Sequence, residues 1–558
     1  MGSLDPLPQW HHEPVFHLKA PRGWINDPCA PGYDPATGTY HLFYQWNPNS
    51  CEWGDITWGH FTSTDGLRWR QNGKRPAIEP DMPYDDKGIF TGCFWPTGPR
   101  GEKDQLTVVY TSIVQLPIHW SIPYSRDCAG LAIATSRDGG QTWRKSPLNP
   151  ILKGEPEGLT VTGFRDPFFA EWPALDRMRG ERCLYGVVSG GIVDQGPNAF
   201  VYAVSPDDLT TWSYLGPLSE VFVGAQRPNK WTGDLGVNWE CVNVVTLDTQ
   251  DFLLMGTEGG QKRGQPSEHE AYAMWMAGSL EQTADGPRMQ HDYNGLLDHG
   301  SFYAANSYLD PTTGERVVWG WIKEEELTLA RREAKGWTGC LALPREVFLL
   351  KVPNVVGTLK TPLDEIESLR ITPEGVETLG IRPLKSLASL RRTQPKTIRN
   401  IPGVLGRTRL PTPSSGSWEL EAIVNVHQRH QRVGFYLNHD EDYHHRTSVY
   451  FSPQDEEIVV EREASNSEDD IVRNNVSGGF TLFVTEKDGV ASTEKLHLRI
   501  FRDGDVLEIF ANDRFALSTM VYANESDCTN LSCFVEGGDA DIVFESIAIW
   551  EDLDRVQF

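Results

Sequence analysis

The amino-acid sequence predicts an all-β protein in which a five-bladed β-propeller is followed by a β-sandwich domain. Three observations predict this fold class. Short runs that alternate apolar with polar residues fill residues 15–350, and Gly, Pro, Asn and Asp interrupt them as they do between strands. A turn motif that ends in Trp recurs in the same region. After a stretch without strand rhythm, strong alternation returns towards the C-terminal end.

The recurring turn motif predicts the number of blades. It occurs as Ser63–Trp69, Ser136–Trp143 and Ser205–Trp212, each time after a strand-like run. Its repeat of about 70 residues has room for four strands with long loops, which is the content of one propeller blade. About 340 residues then hold five such units. We therefore predict that residues 1–352 form a five-bladed propeller.

The second part of the chain is predicted to hold a linker and a smaller domain, since 558 residues exceed what one compact core supports. Residues 353–404 mix Pro, Leu and charged residues without strand rhythm, which is typical of a linker along a domain boundary. Alternation then returns in runs such as Trp418–Val426 and Ile542–Trp550. Residues 405–558 are accordingly predicted to form a two-sheet sandwich.

The composition indicates a neutral ligand. The formal net charge of −26 at pH 7 argues against nucleic acid and against an anionic membrane surface as partners. No run reaches the roughly 18 apolar residues that a membrane-spanning helix needs. Nineteen Trp residues suit both core packing and stacking on the apolar faces of sugar rings. The sequence gives no indication of the oligomeric state.

Neither a metal nor a cofactor is predicted. The nine cysteines are scattered without a CxxC pair, and the His-rich piece His439–His445 matches no spacing of metal ligands. The stretch Met1–Pro6 lacks the basic start and apolar core of a secretory signal. We expect either a cytoplasmic protein or a secreted one whose signal is not part of this sequence.

Three acidic residues are candidates for the cleavage of a glycosidic bond. Asp27, Asp166 and Glu240 occur in the segments W-I-N-D-P, F-R-D-P and N-W-E-C. Each alone has a simpler interpretation, as a turn opener, an ordinary ion pair or an exposed acid on a strand. Together they fall in different predicted blades, and a propeller gathers inner-strand residues around one axial funnel. Retaining cleavage needs two carboxyl groups about 5 to 5.5 Å apart, one ionised and one protonated.

These segments resemble the motifs of glycoside hydrolase family 32, the invertases, inulinases and fructosyltransferases. They occur in the family's order and at about its spacing, and four further blocks agree: His41–Pro48, Trp58–His60, Phe90–Cys93 and Ser301–Ala304. The resemblance covers essentially the whole chain and is strongest to fungal members that act on sucrose. It implies the propeller-and-sandwich fold, no cofactor, and a retaining β-fructofuranosidase that hydrolyses and transfers the fructosyl unit of sucrose and short fructooligosaccharides.

The resemblance also implies roles for single residues. Asp27 would attack the anomeric carbon, Glu240 would protonate the leaving oxygen, and Asp166, oriented by Arg165, would stabilise the oxocarbenium-like transition state. The flanking Trp239 and Cys241 are expected to give Glu240 apolar surroundings that favour its neutral form. The residues expected to line the sugar pocket are Asn26, Gln45, Trp53, Thr91, Glu258, His269 and Tyr303.

The loop Leu116–Tyr124 resembles that of fungal sucrose-acting fructosyltransferases. Its Ile118 and His119 are expected to border the site of the leaving group or the acceptor. The alternative is a loop that only caps a blade. Departures from the family pattern, such as Cys29 and Val242, remove no catalytic group but weaken inference about substrate choice.

Two other functions stay open at this point. One is an exo-inulinase or levanase that acts on fructose polymers through a more open pocket. The other is a catalytically dead sugar-binding propeller, of the kind that arises when one carboxylate is lost. The presence of all three acidic residues counts against the second.

Overall fold

The protein is built almost entirely of β-strands. Its computed structural model describes residues 13–523, 528–537 and 541–557. The helices are short: the α-helices Pro173–Arg179 and Leu329–Lys335, and the 3₁₀ turns Leu363–Glu365, Lys385–Leu390 and Gly403–Leu405. Within the described ranges, no helix has the length and apolar character needed to cross a membrane. The all-β prediction is confirmed.

Five sheets, numbered sheet 1 to sheet 5 in chain order, make up the first domain. Sheet 1 contains Gly23–Asp34, Thr39–Asn47, Thr57–Ser63, Trp69–Gln71 and Trp337–Thr338. Sheet 2 contains Gly88–Trp95, Leu106–Ile113, Ala129–Ser136 and Arg144–Lys145. Sheet 3 contains Val161–Glu171, Leu184–Ile192, Gly196–Ser205 and Asp208–Pro217. Sheet 4 contains Asn238–Leu247, Gln250–Lys262, Gln265–Thr283 and Gly286–Leu296. Sheet 5 contains Phe302–Leu309, Arg316–Ile322, Cys340–Leu341, Arg345–Pro353, Arg370–Thr372 and Gly375–Pro383.

The first strands of these sheets surround a common axis. Each first strand contacts the first strands of the two neighbouring sheets, and that of sheet 5 contacts that of sheet 1, so the ring closes. Trp337–Thr338 pairs in parallel with Gly23–Trp24 and so fastens a late segment of the chain to the first sheet. The sheets therefore stand around the axis like the blades of a propeller.

The recurring Trp motif marks the same turn in three sheets. In sheets 1, 2 and 3 it connects the third strand to the fourth. The leading serine of the first two motifs closes the turn, because Ser63 Oγ accepts from the amide of Gly66 at 3.0 Å and Ser136 Oγ from that of Gly140 at 2.9 Å. Such hydroxyl-to-backbone bonds are formed within the turn itself, so the motif can be recognised from its own residues.

Two six-stranded sheets form the second domain. Sheet 6 contains Lys396–Pro402, Ser417–Val424, Leu496–Asp503, Val506–Ala511, Phe515–Met520 and Ile542–Glu551. Sheet 7 contains Arg407–Arg409, Arg432–His439, Thr447–Ser452, Glu457–Glu461, Val476–Gly479 and Asn530–Glu536. Their facing side chains share one core, to which Leu420 and Ile509 belong from sheet 6 and Phe435 and Val449 from sheet 7. The prediction of a propeller followed by a sandwich is confirmed.

The segment 353–404, expected to be a linker, contributes strands to both domains. Gly375–Pro383 pairs along its whole length with Arg345–Pro353 of sheet 5, and Lys396–Pro402 forms an edge of sheet 6. Val355–Thr358 joins Phe483–Lys487 and Val490–Thr493 in a small three-stranded sheet. Gly375–Pro383 and Lys396–Pro402 show no alternation of apolar and polar residues. The reason is that Gly375–Pro383 is buried on both faces and Lys396–Pro402 is a largely exposed edge. The domain limits 1–352 and 405–558 remain a prediction.

A buried polar network joins the propeller to the sandwich. His17 Nδ1 lies 2.9 Å from Asp503 Oδ2, and His17 Nε2 lies 2.9 Å from Glu508 Oε1. Arg345 of sheet 5 donates to Glu508 Oε2 and to Asp298 Oδ2, both at 2.8 Å. Burial opposes the imidazolium, but the hydrogen bonds and charges of the two carboxylates outweigh it and raise the pKa of His17 to about 9.

This network predicts a pH-dependent stability. Because the folded pKa of His17 exceeds its unfolded value of 6.5, its contribution is present in full below pH 6.5 and is lost between 6.5 and about 9. We expect His17→Gln to lower the unfolding free energy by on the order of 3 kcal/mol at pH 6 and by much less at pH 9.5. Denaturant titration across this range measures the difference. The exposed imidazole of His444 supplies the control His444→Gln; equal pH slopes in wild type and His17→Gln would contradict the role of the network.

Candidate active site

Each innermost strand is irregular at the same level of the propeller axis. In sheet 2 the innermost strand has one extra residue there, Thr91, relative to its neighbour. In the other four sheets, two residues of the innermost strand face one residue of the second strand. These are Asn26–Asp27 opposite Gln45, Asp166–Pro167 opposite Val188, Cys241–Val242 opposite Met255, and Ala304–Ala305 opposite Gly320. Asp166, Cys241 and Ala304 adopt left-handed backbone angles, with φ of 59°, 49° and 53°. A bulge turns side chains out of the regular alternation. The ring of bulges therefore aims polar side chains at the axis.

Asp27 lies at the centre of a hydrogen-bonded group from sheets 1 and 2. Its Oδ2 accepts from the Thr91 hydroxyl at 2.5 Å and from Gln45 Nε2 at 3.1 Å, and its Oδ1 accepts from Asn26 Nδ2 at 3.0 Å. Asn26 is itself oriented, since its Oδ1 accepts from Trp24 Nε1 at 3.1 Å. The carboxylate of Asp27 is thus held on both oxygens while the residue keeps partial contact with solvent.

Glu240 belongs to a second group, built from sheets 3, 4 and 5. Its Oε1 accepts from Arg165 Nη2 at 2.9 Å and Nε at 3.1 Å, and its Oε2 accepts from the Tyr303 hydroxyl at 2.7 Å. Arg165 Nη2 also donates to Glu258 Oε2 at 2.5 Å. The fourth sheet supplies both carboxylates because Glu240 and Glu258 lie on its first two, paired strands.

Asp166 lies between the two groups. Its Oδ2 is 3.2 Å from the amide nitrogen of Cys241, which donates to it, and 3.8 Å from Arg165 Nε. Its own amide donates to Thr111 Oγ1 at 2.7 Å. The Cys241 thiol bridges the groups, since its Sγ lies 3.7 Å from Asp27 Oδ2 and 3.8 Å from Asp166 Oδ2. Three acidic residues that are far apart in sequence therefore share one funnel.

The proximity of these carboxyl groups shifts their proton affinities. Burial, with a further contribution from the charge of Glu240, raises the pKa of Asp27 to about 6 although Thr91 and Asn26 oppose the shift. Burial and Glu240 likewise raise the pKa of Glu258 to about 7, against the attraction of Arg165. Burial raises the pKa of Asp166 well above its usual range. Near neutral pH Asp27 is therefore mostly ionised, whereas burial favours the protonated forms of Asp166 and Glu258.

The remaining predicted pocket residues lie at the rim. Trp53 is 48% exposed and packs edge-on against Phe90, which precedes Thr91. The loop Leu116–Tyr124 leaves sheet 2 and reaches sheet 4, where the Trp120 ring lies 4.7 Å from that of His269.

Contacts within this loop separate its exposed side from its packed side. His119 Nδ1 hydrogen-bonds Ser121 Oγ at 2.6 Å on the exposed side, whereas Ile118 packs against the propeller core. Trp120 lies so close to Gly259 that a Cβ there would stand 2.7 Å from its ring, and the φ of 72° at Gly259 also favours glycine.

Comparison with known proteins identifies the family. Residues 17–358 match the profile described as "Glycosyl hydrolases family 32 N-terminal domain", and residues 386–551 match "Glycosyl hydrolases family 32 C terminal". The chain belongs to glycosyl hydrolase family 32. The family resemblance read from the sequence motifs is confirmed.

Matching relatives include β-fructofuranosidases and a fructosyltransferase. The acid β-fructofuranosidase of Solanum lycopersicum is 31% identical over 390 residues, which are 66% of this chain and 54% of that protein. The aligned part spans 54% to 59% of the first three curated relatives. Among solved structures, Aspergillus kawachii β-fructofuranosidase complexed with glycerol superposes with a TM-score of 0.86 at 28% identity, covering 99% of this chain and 96% of that one. The fructosyltransferase from A. japonicus gives 0.86 at 25%, covering 98% and 96%.

Two residues of this family 32 site were not predicted as site residues. Asn238 Nδ2 donates to Glu258 Oε2 at 2.7 Å, and Thr111 fixes the backbone of Asp166. The sequence could have indicated Asn238 as a site residue, because it stands two positions before Glu240 and therefore lies on the same face of the strand. Thr111 carried no such signal, since its partner is a backbone amide on another sheet.

The surroundings of Glu240 also differ from expectation. Trp239 points away from the funnel into a core between sheets 3 and 4, where its Nε1 donates to Leu235 O at 3.0 Å. Polar partners, Arg165 and Tyr303, contact the Glu240 carboxyl instead. The physical reason is the strand alternation, which sends Trp239 and Glu240 to opposite faces. The residues that the structure describes contain no group of three or more His, Cys, Asp or Glu side chains arranged to hold a metal ion.

The charge balance of the site predicts the effect of removing Arg165. Arg165→Gln leaves Glu240, Glu258 and Asp166 close together without their cation, which costs about 3 kcal/mol of unfolding free energy at pH 8. The loss of unfolding free energy becomes smaller towards pH 5.5. Carboxyl groups with raised pKa values, such as Glu258 with a pKa of about 7, take up protons there and no longer repel one another. Denaturant unfolding at both pH values measures this. The control Arg137→Gln removes an exposed cation that pairs with Asp104. The interpretation would be contradicted if Arg165→Gln lost the same unfolding free energy at both pH values, or no more than Arg137→Gln.

Proposed function

We propose that this family 32 protein is a retaining β-fructofuranosidase that hydrolyses sucrose and short fructooligosaccharides and transfers their fructosyl unit to sugar acceptors. The observation that carries the proposal is the placement of Asp27 and Glu240 in one axial funnel, each fixed by its own hydrogen-bonded group. Similarity over nearly the whole chain to an Aspergillus β-fructofuranosidase and a fructosyltransferase supports the activity.

Asp27 is the proposed nucleophile. With a pKa of about 6, roughly nine in ten molecules carry an ionised Asp27 at pH 7. Thr91, Gln45 and Asn26 hold the carboxylate in place, so little reorganisation accompanies its attack on the anomeric carbon of the fructosyl unit. The attack forms a fructosyl ester on Asp27, and the glycosidic bond to the leaving sugar breaks.

Glu240 is the proposed acid and base. Its side chain is 22% exposed, against 6% for that of Arg165, so it is open to a sugar entering the funnel. It gives its proton to the leaving oxygen in the first step and takes one from water or an acceptor hydroxyl in the second. Arg165 and Tyr303 hold the Glu240 carboxyl in place for both proton transfers.

Asp166 and the polar groups around it are proposed to bind the fructosyl unit. The ionised Asp166 carboxylate, oriented by the Cys241 amide, would stabilise a developing oxocarbenium charge, because little water competes in its buried surroundings. Gln45 and Glu258 offer acceptors and donors for sugar hydroxyls. The half-exposed ring of Trp53 offers an apolar face at the rim.

The loop Leu116–Tyr124 favours short substrates over fructose polymers. It crosses from sheet 2 to sheet 4 and packs Trp120 against Gly259 and His269, a position from which it would narrow the entrance to the funnel. An exo-inulinase or levanase would need a more open entrance. The presence of Asp27, Asp166 and Glu240 in one funnel argues against a catalytically dead sugar-binding protein.

The first test of the proposal separates the nucleophile from the acid. Asp27→Ala and Glu240→Ala should each lose at least about a thousandfold in sucrose turnover while circular dichroism stays native. With p-nitrophenyl β-fructofuranoside, whose leaving group needs no acid, Glu240→Ala should still release one rapid equivalent of nitrophenolate and Asp27→Ala should release none. The control Asp86→Ala removes an exposed carboxylate that pairs with Lys87. Near-normal sucrose turnover in either folded variant would refute the assignment.

The second test concerns transfer. Water is present at about 55 M, so a transferase must hold its acceptor in the reactive geometry for positioning to outweigh bulk solvent. We expect wild type to form trisaccharide at molar sucrose, and His119→Ala or Trp120→Ala to lower the trisaccharide-to-fructose ratio by at least about threefold with glucose release largely unchanged. Chromatography of the three products measures this.

The matched control for the transfer test lies in the same loop. Ile122 is 38% exposed, and Ile122→Ala should leave the product ratio unchanged. An unchanged ratio in both His119→Ala and Trp120→Ala would rule out the loop as the acceptor platform. If wild type makes no trisaccharide, the protein is a plain hydrolase.

A further inference from the structure

A second cavity of about 380 Å³ lies at the opposite end of the propeller axis from the carboxylates. We call it the distal cavity. All five innermost strands contribute to its lining, each through residues that follow its bulge: Pro31–Tyr33, Cys93–Pro96, Phe168–Glu171, Val244 and Asn306–Leu309, with Pro311 and Arg316 completing it. The cavity is thus built by the same ring of strands as the active-site funnel, but at its other mouth.

The strands separate the two sites along the axis. On the innermost strand of sheet 3, Ala170 follows Asp166 by four residues, which at about 3.3 Å per residue is roughly 13 Å. Just after the bulges, two buried amides cross-link the inner strands. Asn243 Nδ2 donates to Cys241 O at 3.0 Å and to Ala305 O at 3.3 Å, and Asn306 Nδ2 donates to Pro28 O at 3.2 Å and to Gly92 O at 3.1 Å. A ligand in the distal cavity therefore does not touch the carboxylates.

Arg316 gives the cavity its polar character. It begins the second strand of sheet 5, opposite Leu309, and its Nε is buried without a hydrogen-bond partner in the described part of the chain. Burial lowers the pKa of Arg316 to about 10, and the charge of Glu171 offsets this only in part. A buried donor atom without a partner is costly, and an anion beside it removes that cost.

Aromatic rings form the walls. Tyr33, Phe94, Trp95, Phe169 and Tyr308 line the cavity, and Trp95 and Phe169 pack edge-on with ring centroids 5.8 Å apart. Such walls suit a flat apolar body better than a strongly hydrated one. The carboxylate of Glu171 at the rim disfavours a second negative charge on the ligand.

We propose that the distal cavity binds a small monocarboxylate with a flat apolar body, held by the Arg316 guanidinium between the aromatic walls. The volume accommodates a body of the size of benzoate. A dianion such as a phosphate ester would meet Glu171 and a protein of net charge −26, whereas a single carboxylate matches the one positive charge of Arg316. The assignment adds a ligand site outside the proposed catalytic funnel and does not depend on the proposed activity.

Calorimetric titration with benzoate tests the proposal, with benzamide as the neutral isostere. We expect wild type to bind benzoate with Kd on the order of 1 mM, at least about tenfold tighter than benzamide. Arg316→Gln should weaken benzoate binding at least about tenfold and leave benzamide unchanged, while Arg70→Gln, which removes an exposed cation, should change neither. Titration in saturating fructose keeps the catalytic funnel occupied, so binding that persists there belongs to the distal cavity.

A second pair of variants avoids the buried arginine. Leu309 is 52% exposed at the rim, so Leu309→Asp and Leu309→Asn differ in charge but not in size and neither disturbs the core. Leu309→Asp should weaken benzoate binding severalfold relative to Leu309→Asn. The proposal is overturned if wild type binds no benzoate up to about 20 mM, if benzamide binds as well as benzoate, or if binding is equal in the two Leu309 variants.

Discussion

The guanidinium group of Arg165 is the interaction on which the rest of the site depends. It contacts Glu240 and Glu258 directly and lies 3.8 Å from Asp166, in a funnel where water screens little of their repulsion. Burial opposes its charge, yet Glu258, Glu240 and Asp166 raise the pKa of Arg165 further above its usual range. The cation therefore persists at every physiological pH, and three acids can share one site because it does.

The bulges of the five innermost strands place the polar side chains of the site around the propeller axis. A regular strand would send successive side chains to opposite faces, so Arg165 and Asp166 could not both serve the funnel. The bulge at Asp166 lets Arg165 reach sideways to sheet 4 while Asp166 faces the axis. Closure of the ring then depends on packing that is remote from the chemistry, including the pairing of Trp337–Thr338 with the first strand. The buried network around His17 and Arg345 holds the sandwich against this ring.

Much of the molecule was readable from sequence because it is encoded locally. The Trp turn motifs are recognisable as a repeat because a serine hydroxyl closes the first two turns on their own backbone. The strong alternation after residue 404 reflects sandwich strands with one buried face. The segment 353–404 was not readable as strands, since Gly375–Pro383 is buried on both faces and Lys396–Pro402 is an exposed edge. A strand that is buried on both faces and a strand that is exposed at an edge both lack the alternation of apolar and polar residues that marks a half-buried strand.

The sequence by itself determined the fold class, the family and the identity of the acidic candidates, because strand alternation, turn chemistry and short motifs are properties of neighbouring residues. Only the tertiary structure decided that Trp239 faces a core and that Arg165 and Tyr303, not apolar groups, contact Glu240. It alone brought Trp120 against Gly259 and, among residues 13–523, 528–537 and 541–557, left the Nε of Arg316 without a hydrogen-bond partner. These features involve residues from different sheets. Their geometry depends on how the bulged strands close around the propeller axis, and a local sequence pattern does not contain that information.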